Sequence, residues 1–235
     1  MKKNKEKVII LAGGKGTRFN PFSFVIPKPL MPINQNPILL YLFKAFKKAN
    51  YKNFLISTGY QSELIKLYVQ SIKKLGIKVK YFDENKPLGT AGPIYKIKKE
   101  ININDYFFLI NGDIFTEVNF SKMMTFAKKG NYDLVVGFIK KKYKNSFGVL
   151  KVENNKIKDI NEKPNTFFNI SSGIYVIKNT KNLNLLPKNK FFTMPELIQK
   201  YLNKKLNVGG YQIKDYWMSI ENMENLKKVE KKVTK

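Results

Sequence analysis

Cysteine and histidine are both absent from the 235-residue sequence. Without cysteine the chain forms no disulfide and no cysteine metal site. Without histidine it has no imidazole base, no serine–histidine triad and no histidine-bound zinc. Any metal must therefore be held by oxygen ligands, which is typical of Mg²⁺ and similar hard cations.

Long apolar runs are also lacking. The charged segment 1–7 precedes an apolar run that is too short for a signal peptide, and no stretch approaches the length of a membrane span. The length and the hydrophobic content of 43% fit one α/β domain with a sizeable core. We therefore expect a cytoplasmic enzyme with no membrane partner.

Acidic residues are scarce, with 17 against 44 lysines and arginines, and the formal net charge is +27. A charge of this size is typical of nucleic-acid or anionic-membrane binders. It also arises from lysines spread over solvated faces, which is the favoured interpretation. Because the lysines are scattered and no nucleic-acid motif is present, we expect no nucleic-acid partner. The same field would attract nucleotides and sugar phosphates.

A glycine-rich stretch follows the first apolar run. Residues 8–11 have the pattern of a buried parallel strand. The glycines within 13–16 let the backbone approach a bound group closely, and their N–H groups can form an anion site. With the cations Arg18 and Lys28, the pattern indicates a phosphate site at the carboxyl end of a sheet. An ordinary strand-to-loop turn is an equal alternative from this motif alone.

Arg18 is the only arginine of the chain, since every other basic residue is lysine. The scarcity of arginine reflects a compositional bias towards lysine. We expect an arginine to remain at a position where lysine is a poor replacement for a planar, bidentate and permanently charged group. Persistence by chance is the alternative. We expect Arg18 to contact phosphate.

Several stretches, taken in order, carry a resemblance to a known family. They are GGKGTR at 13–18 with PKP at 27–29, LGTAGP at 88–93, NGD at 111–113, EKP at 162–164 and SGIY at 172–175. This order resembles the sugar-phosphate nucleotidyltransferases, also called nucleotide-sugar pyrophosphorylases, over nearly the whole chain. Segment 88–93 is most similar to the guanylyltransferases that act on mannose 1-phosphate and related sugars.

The order of predicted elements indicates the fold. Strands and helices alternate over residues 8–82, which predicts a mostly parallel, doubly wound sheet with right-handed crossovers. The apolar strand at 106–110 is expected at the sheet centre. The resemblance implies a Rossmann-like, three-layer α/β/α fold with a mostly parallel mixed sheet. We expect one domain over 1–235, with its nucleotide-binding half near 1–139 and its sugar-phosphate half near 140–235.

Local signals predict where elements begin and turn. Pro37 suits the first turn of a helix over 37–49. Ser62 and Thr193 are predicted to cap the helices that follow them, the first of which runs to residue 74. Asn155 is predicted to lie in a hairpin turn.

The resemblance implies nucleotidyl transfer. A phosphate oxygen of a sugar 1-phosphate attacks the α-phosphorus of a nucleoside triphosphate, pyrophosphate leaves, and a nucleoside-diphosphate sugar forms. The attacking phosphate is already anionic, so the reaction requires no general base. The expected pair is GTP with mannose 1-phosphate or a related hexose or heptose 1-phosphate. The alternatives for the reaction are thymidylyl, uridylyl or cytidylyl transfer. A catalytically silent relative is a further alternative, and a homodimer is an open alternative for the assembled form.

The resemblance also assigns roles to single residues. The expected nucleotide-binding residues are Leu11, Ala12, Gly13, Gly14, Gly16, Thr17, Gly89 and Thr90. The expected sugar-phosphate residues are Gly112, Gly148, Glu162, Lys163, Asn169 and Gly173. Catalysis is assigned to Arg18 and Lys28, which neutralise the triphosphate, to Asp113, and to Lys163, which orients the attacking phosphate.

Asp113 is the expected Mg²⁺ ligand. It follows the apolar strand at 106–110 and so lies at a strand's carboxyl end. The family usually has tryptophan, any residue and then a second ligating aspartate, and here Ser219 stands in that place. Asp215 and Glu221 are the nearby alternatives for the second ligand.

Overall fold

The structure is a computed structural model, and it describes residues 6–234. Its strands are β1 (Lys7–Ala12), β2 (Pro32–Ile33), β3 (Asn36–Pro37), β4 (Asn53–Thr58), β5 (Lys78–Asp83), β6 (Tyr106–Asn111), β7 (Ile114–Thr116), β8 (Leu134–Lys144), β9 (Val149–Glu153), β10 (Lys156–Asn161), β11 (Asn165–Lys178), β12 (Val208–Gln212) and β13 (Trp217–Ser219). Its α-helices are α1 (Ile38–Lys48), α2 (Ser62–Ser71), α3 (Ile94–Ile97), α4 (Phe120–Lys129), α5 (Met194–Asn203) and α6 (Met223–Val233). None of the helices within this part of the chain is long and apolar enough to cross a membrane.

Seven strands form the central sheet, in the order β12-β8-β11-β6-β1-β4-β5. β1 pairs in parallel with β4 and with β6, and β5 continues the parallel set beyond β4. β11 is antiparallel to both of its neighbours, β6 and β8. The predicted mostly parallel mixed sheet is confirmed, and β6 lies at its centre as expected.

Two apolar layers cover the faces of this sheet. Val8 and Ile10 of β1 pack with α1, α2 and α4 on one side. Ile9, between them, packs with α3 and α5 on the other side. A parallel strand buried on both faces needs an unbroken apolar sequence, which explains why residues 8–11 carry no polar side chain. The result is the predicted three-layer α/β/α arrangement.

The predicted helix starts are confirmed in part. Thr193 caps α5 in a reciprocal capping box with Glu196. Ser62 is not a cap, because Gln61 occupies that position in a left-handed conformation and Ser62 is the first helical residue. α2 also ends earlier than predicted, at Ser71. Asn155 lies in the β9–β10 turn as predicted.

One helix was not predicted. α4 begins after Asn119, whose side chain accepts a hydrogen bond from the Lys122 N–H. Met123, Met124 and other apolar residues of α4 pack under the sheet beside α1. The helix joins the central strand β6 to β8, so it completes the crossover on that face.

The arm, defined as residues 140–169, extends beyond the sheet. The outer ends of β8 and β11 pair there as a two-stranded antiparallel ladder. Between them lies the β9–β10 hairpin, whose residues are exposed. β9 begins at Val149, directly after Gly148. The arm therefore contributes little to the apolar core.

Candidate functional site

A cavity of about 340 Å³ opens at the carboxyl ends of β1 and β6. Its volume lies within the usual range for small-molecule sites. Predicted residues that line it are Leu11, Ala12, Gly13, Gly14, Gly16, Lys28, Gly89, Thr90, Gly112 and Asp113. The sequence-predicted loops after β1, β5 and β6 therefore meet at one place, as strand ends of an open α/β sheet do.

The glycine-rich loop forms one wall of the cavity. Gly16 has a φ of +64°, and a Cβ atom placed there would lie 3.0 Å from the Lys28 Cβ. Both the backbone conformation and the close approach of Lys28 therefore require glycine. A Cβ placed at Gly14 would meet no atom within 4 Å. The loop thus presents bare backbone on that side.

Glu84 is a lining residue that the sequence analysis missed. It directly follows β5, and its Oε1 accepts a hydrogen bond from the Ser57 hydroxyl at 2.7 Å. Its Oε2 accepts one from the Leu88 N–H at 3.0 Å. A Cβ placed at Gly13 would lie 2.9 Å from Oε1. The carboxylate is therefore fixed between the glycine-rich loop and the loop at 88.

The loop at 88–92 is held by a segment of the other half of the chain. The Phe192 N–H donates to the Leu88 carbonyl at 2.9 Å, and the Phe192 carbonyl accepts from the N–H groups of residues 91 and 92. The Met194 N–H donates to the Thr90 hydroxyl at 2.8 Å. Gly89 has a φ of +74°, and a Cβ there would lie 2.6 Å from the Phe192 carbonyl oxygen. Gly89 is thus needed for packing as well as for lining the cavity.

Asp113 lies at the cavity floor in contact with Lys28. The Lys28 ammonium donates to the Asp113 Oδ2, and the Asp113 carbonyl accepts from the Ile220 N–H at 2.8 Å. The other carboxylate oxygen, Oδ1, is buried and has no hydrogen-bond partner among the described residues, and the same holds for Asn111 Oδ1. Oxygens of this kind are the ligands that Mg²⁺ prefers. The Asp113 site therefore fits a hard cation.

The register of β13 against β7 decides where the other acidic candidates lie. Ser219 is opposite Ile114, next to Asp113. The Tyr216 carbonyl accepts a hydrogen bond from the Glu117 N–H. Glu117 is four residues after Asp113, a separation of roughly 13 Å at about 3.3 Å per residue. Asp215 therefore lies too far from Asp113 to share an ion. No three acidic side chains within residues 6–234 gather as a metal site.

Arg18 and Thr17 are not among the residues that line the cavity. The Arg18 guanidinium donates to the Glu221 carboxylate, and these side chains are 70% and 49% exposed. The structure therefore pairs the predicted phosphate-binding arginine with one of the proposed metal ligands.

The arm residues predicted to bind sugar phosphate do not line the cavity either. Lys163 lies 3.5 Å from the Glu162 carboxylate, and the two side chains are 54% and 67% exposed. A Cβ placed at Gly148 would lie 2.9 Å from Glu162 Oε2, while Asn169 pairs with Lys140 in the ladder. The arm thus brings Gly148, Glu162 and Lys163 together, while Asn169 lies in the β8–β11 ladder.

Gly173, by contrast, reaches the cavity edge. It has a φ of +71°, and a Cβ there would lie 2.6 Å from the Asn111 Nδ2. Asn111 lines the cavity beside Asp113. Asn111 belongs to the NGD motif but has no predicted role, although its position as the last residue of β6 is a signal for the site.

Comparison with known proteins identifies the family. The profile of the nucleotidyl transferase family matches residues 7–235. The chain belongs to this family. The resemblance inferred from the ordered motifs is thereby confirmed.

Among curated relatives, the mannose-1-phosphate guanylyltransferase catalytic subunit beta of Dictyostelium discoideum is 29% identical to this nucleotidyl transferase over 223 residues, 91% of this chain and 60% of that protein. The Xenopus tropicalis subunit beta is 33% identical over 176 residues, 72% of this chain and 49% of that protein. The chain thus spans about half to three fifths of the length of these relatives.

Solved structures agree with the fold. HddC from Yersinia pseudotuberculosis, complexed with GMP-PN, is 27% identical with a TM-score of 0.75, and the match covers 97% of this chain and 99% of that chain. A UDP-glucose pyrophosphorylase complexed with UDP-glucose is 20% identical with a TM-score of 0.74, over 97% and 98% of the two chains. The similarity to the UDP-glucose pyrophosphorylase, at 20% identity, supports the fold alone.

Proposed function

We propose that this nucleotidyl transferase moves a guanylyl group from GTP to mannose 1-phosphate or a related hexose or heptose 1-phosphate, with release of pyrophosphate. The names of the curated relatives and the GMP-PN complex of HddC support this choice. The observation that carries it within this chain is the fixed carboxylate of Glu84 in the cavity.

The Glu84 carboxylate distinguishes the bases by hydrogen bonding. An ionised carboxylate only accepts hydrogen bonds and has about four lone-pair sites, of which Ser57 and Leu88 use two. Guanine presents two adjacent donors, N1–H and N2–H, to the remaining sites. Adenine and cytosine present a ring-nitrogen acceptor there, and uracil and thymine flank their single N–H with carbonyls. A carboxylate can therefore accept two hydrogen bonds from guanine but only one from each of the other bases, whose neighbouring acceptor it repels.

The phosphates would lie against the glycine-rich loop. Bare backbone at Gly14 and the ammonium of Lys28 line this side of the cavity, and backbone N–H groups together with a cation make an anion site. Asp113 would hold Mg²⁺ through its buried Oδ1. When bound, the ion supplies neutralisation of phosphate charge. Catalysis then rests on positioning and on preorganised charge.

The sugar phosphate would enter from the arm side. Gly173 and Asn111 adjoin the cavity, and Lys163 with Glu162 would reach the sugar and its phosphate once substrate is bound. The Lys163 ammonium would align the attacking phosphate oxygen with the α-phosphorus. That oxygen is already anionic, so no residue has to remove a proton.

Base selectivity tests this proposal. Pyrophosphate release would be measured with GTP, ATP, CTP, UTP and dTTP against mannose 1-phosphate and glucose 1-phosphate. We expect GTP to be preferred, and Glu84→Gln to lower kcat/KM for GTP by roughly a hundredfold or more, since a site built to hydrogen-bond a substrate rejects one that mismatches it. An amide offers one acceptor and one donor, so the variant should gain activity with UTP or dTTP.

Glu63→Gln is the matched control, because Glu63 is an exposed carboxylate on α2 that pairs with Lys66. Its nucleotide preference should equal that of the wild type. A wild type that prefers another triphosphate contradicts guanylyl transfer. A wild type that binds nucleotide sugar but releases no pyrophosphate from any pair would be a catalytically silent relative.

A further inference from the structure

One ion pair joins the segment after the glycine-rich loop to the β6–β7 connection, and another joins it to the residues that follow β13. Lys28 pairs with Asp113, and Arg18 pairs with Glu221. Ile220 is buried and donates its N–H to the Asp113 carbonyl at 2.8 Å. Phe19 and Ile220 belong to one buried apolar cluster, so the backbone next to Arg18 and next to Glu221 is fixed. Glu221 therefore directly follows the residue whose backbone contacts Asp113.

We propose that Glu221 supplies the second carboxylate ligand for the divalent ion of the nucleotide complex, and that triphosphate binding releases Glu221 from Arg18. The proposal rests on the proposed function, because it needs a metal–triphosphate complex beside Asp113. It assigns to Glu221 the anionic charge that the neutral hydroxyl of Ser219 does not supply.

Charge favours this exchange of partners. A triphosphate carries several negative charges, and a guanidinium binds phosphate oxygens in a bidentate way. The Arg18–Glu221 pair is largely exposed, so it is screened by solvent and little is lost when it opens. Glu221, Asp113 and the phosphates would then repel one another unless a cation lies between them.

Geometry excludes Asp215 and Glu117, two other acidic residues near β13. Asp215 precedes Tyr216, which pairs with Glu117 at the far end of β7, roughly 13 Å from Asp113 at about 3.3 Å per residue. Glu117 lies at that same far end and pairs with Lys232. Glu221, one residue from the Ile220–Asp113 hydrogen bond, is therefore the carboxylate placed to join Asp113 Oδ1.

Manganese binding tests the proposal without relying on turnover. The electron paramagnetic resonance signal of free Mn²⁺ would be titrated with protein and a non-hydrolysable guanosine triphosphate analogue. We expect Glu221→Gln to weaken Mn²⁺ binding in this complex by about tenfold, on the scale of lost metal-site contacts. Asp215→Asn is the control and should titrate like the wild type. Adding Ser219→Asp to Glu221→Gln should restore the affinity.

Several outcomes would overturn the proposal. One is Mn²⁺ affinity in Glu221→Gln equal to that of the wild type while the variant melts at the wild-type temperature. Another is an equal loss in Asp215→Asn. Mn²⁺ binding that depends on Glu221 with adenosine and uridine analogues as well would support the ligand while contradicting the guanine preference. Absence of Mn²⁺ binding with every triphosphate analogue in the wild type would contradict both proposals.

Discussion

The cavity and the arm present their predicted site residues in different ways. At the cavity the residues follow buried strands, and hydrogen bonds of the backbone fix them: the Gly112 N–H donates to the Leu11 carbonyl, and Asp113 is bonded to Ile220. On the arm, Glu162 and Lys163 contact each other and are mostly exposed. The cavity residues are therefore held in place by the fold, whereas the arm side chains are held only by an exposed contact with each other.

We expect the largest effect on the free energy of unfolding, and we expect it to differ between the buried core and the arm. Phe46 is fully buried, and its ring stacks on Phe120 with centroids 3.7 Å apart. Phe46→Ala should lower the free energy of unfolding by about 3–5 kcal/mol, the usual cost of deleting a core phenylalanine. Phe167, on the arm, is 54% exposed, and Phe167→Ala should change it by less than about 0.5 kcal/mol.

Chemical denaturation of both variants measures this difference. Equal losses would mean that the arm is packed as tightly as the core, and the comparison between the two regions would be wrong. A change in the denaturant slope of Phe167→Ala alone would instead indicate that the arm unfolds separately.

Asp113→Asn tests whether the reaction rate depends on a charge in the cavity more than on a charge of the arm. The change keeps the shape of the side chain but removes the charge that faces Lys28 and the proposed ion. We expect kcat/KM to fall by about a hundredfold or more, the scale of a dominant electrostatic group, with little loss of stability. Asp159→Asn on β10 of the arm should leave the rate unchanged. A magnesium titration that is the same in Asp113→Asn and wild type would show that Asp113 holds no metal.

The fold could be predicted because it depends on local sequence patterns. The apolar residues 8–11 and 106–110 specify central strands, and both are central in the sheet. The helix at 120–129 was missed because its apolar residues are interrupted by lysine and serine, and its cap, Asn119, has no acidic residue three positions later.

Most of the predicted residues that line the cavity lie on loops that follow strand ends. The glycine-rich loop and Asp113 do so, and both reach the cavity. Glu84 also follows a strand, but it lies in a charged, lysine-bearing segment that resembles a surface turn. The contact between Arg18 and Glu221 joins positions 203 residues apart, and no local pattern carries that information.

Arg18→Lys tests whether exposure or position decides a residue's importance. Arg18 belongs to the cavity loop but is as exposed as an arm residue. Lysine keeps the charge but cannot make a bidentate contact with phosphate, so we expect kcat/KM for the triphosphate to fall about tenfold, the scale of one good charged contact. Wild-type kinetics in this variant would remove Arg18 from the site.

Lys163→Ala should give the smallest effect, because the Lys163 ammonium is on the exposed arm. Exposed ion pairs contribute about 0.2–1 kcal/mol, so the Kd for mannose 1-phosphate should rise by no more than about fivefold. Binding of the GTP analogue should be unchanged, and the effect should shrink as salt is added, since salt screens exposed charges. Lys158→Ala, an exposed lysine on β10, is the matched control and should bind both ligands normally. Calorimetry measures the Kd of mannose 1-phosphate and of the GTP analogue for each of the two variants. If Lys163→Ala instead loses the GTP analogue and keeps mannose 1-phosphate, the arm serves the nucleotide and the roles assigned to the two regions are reversed.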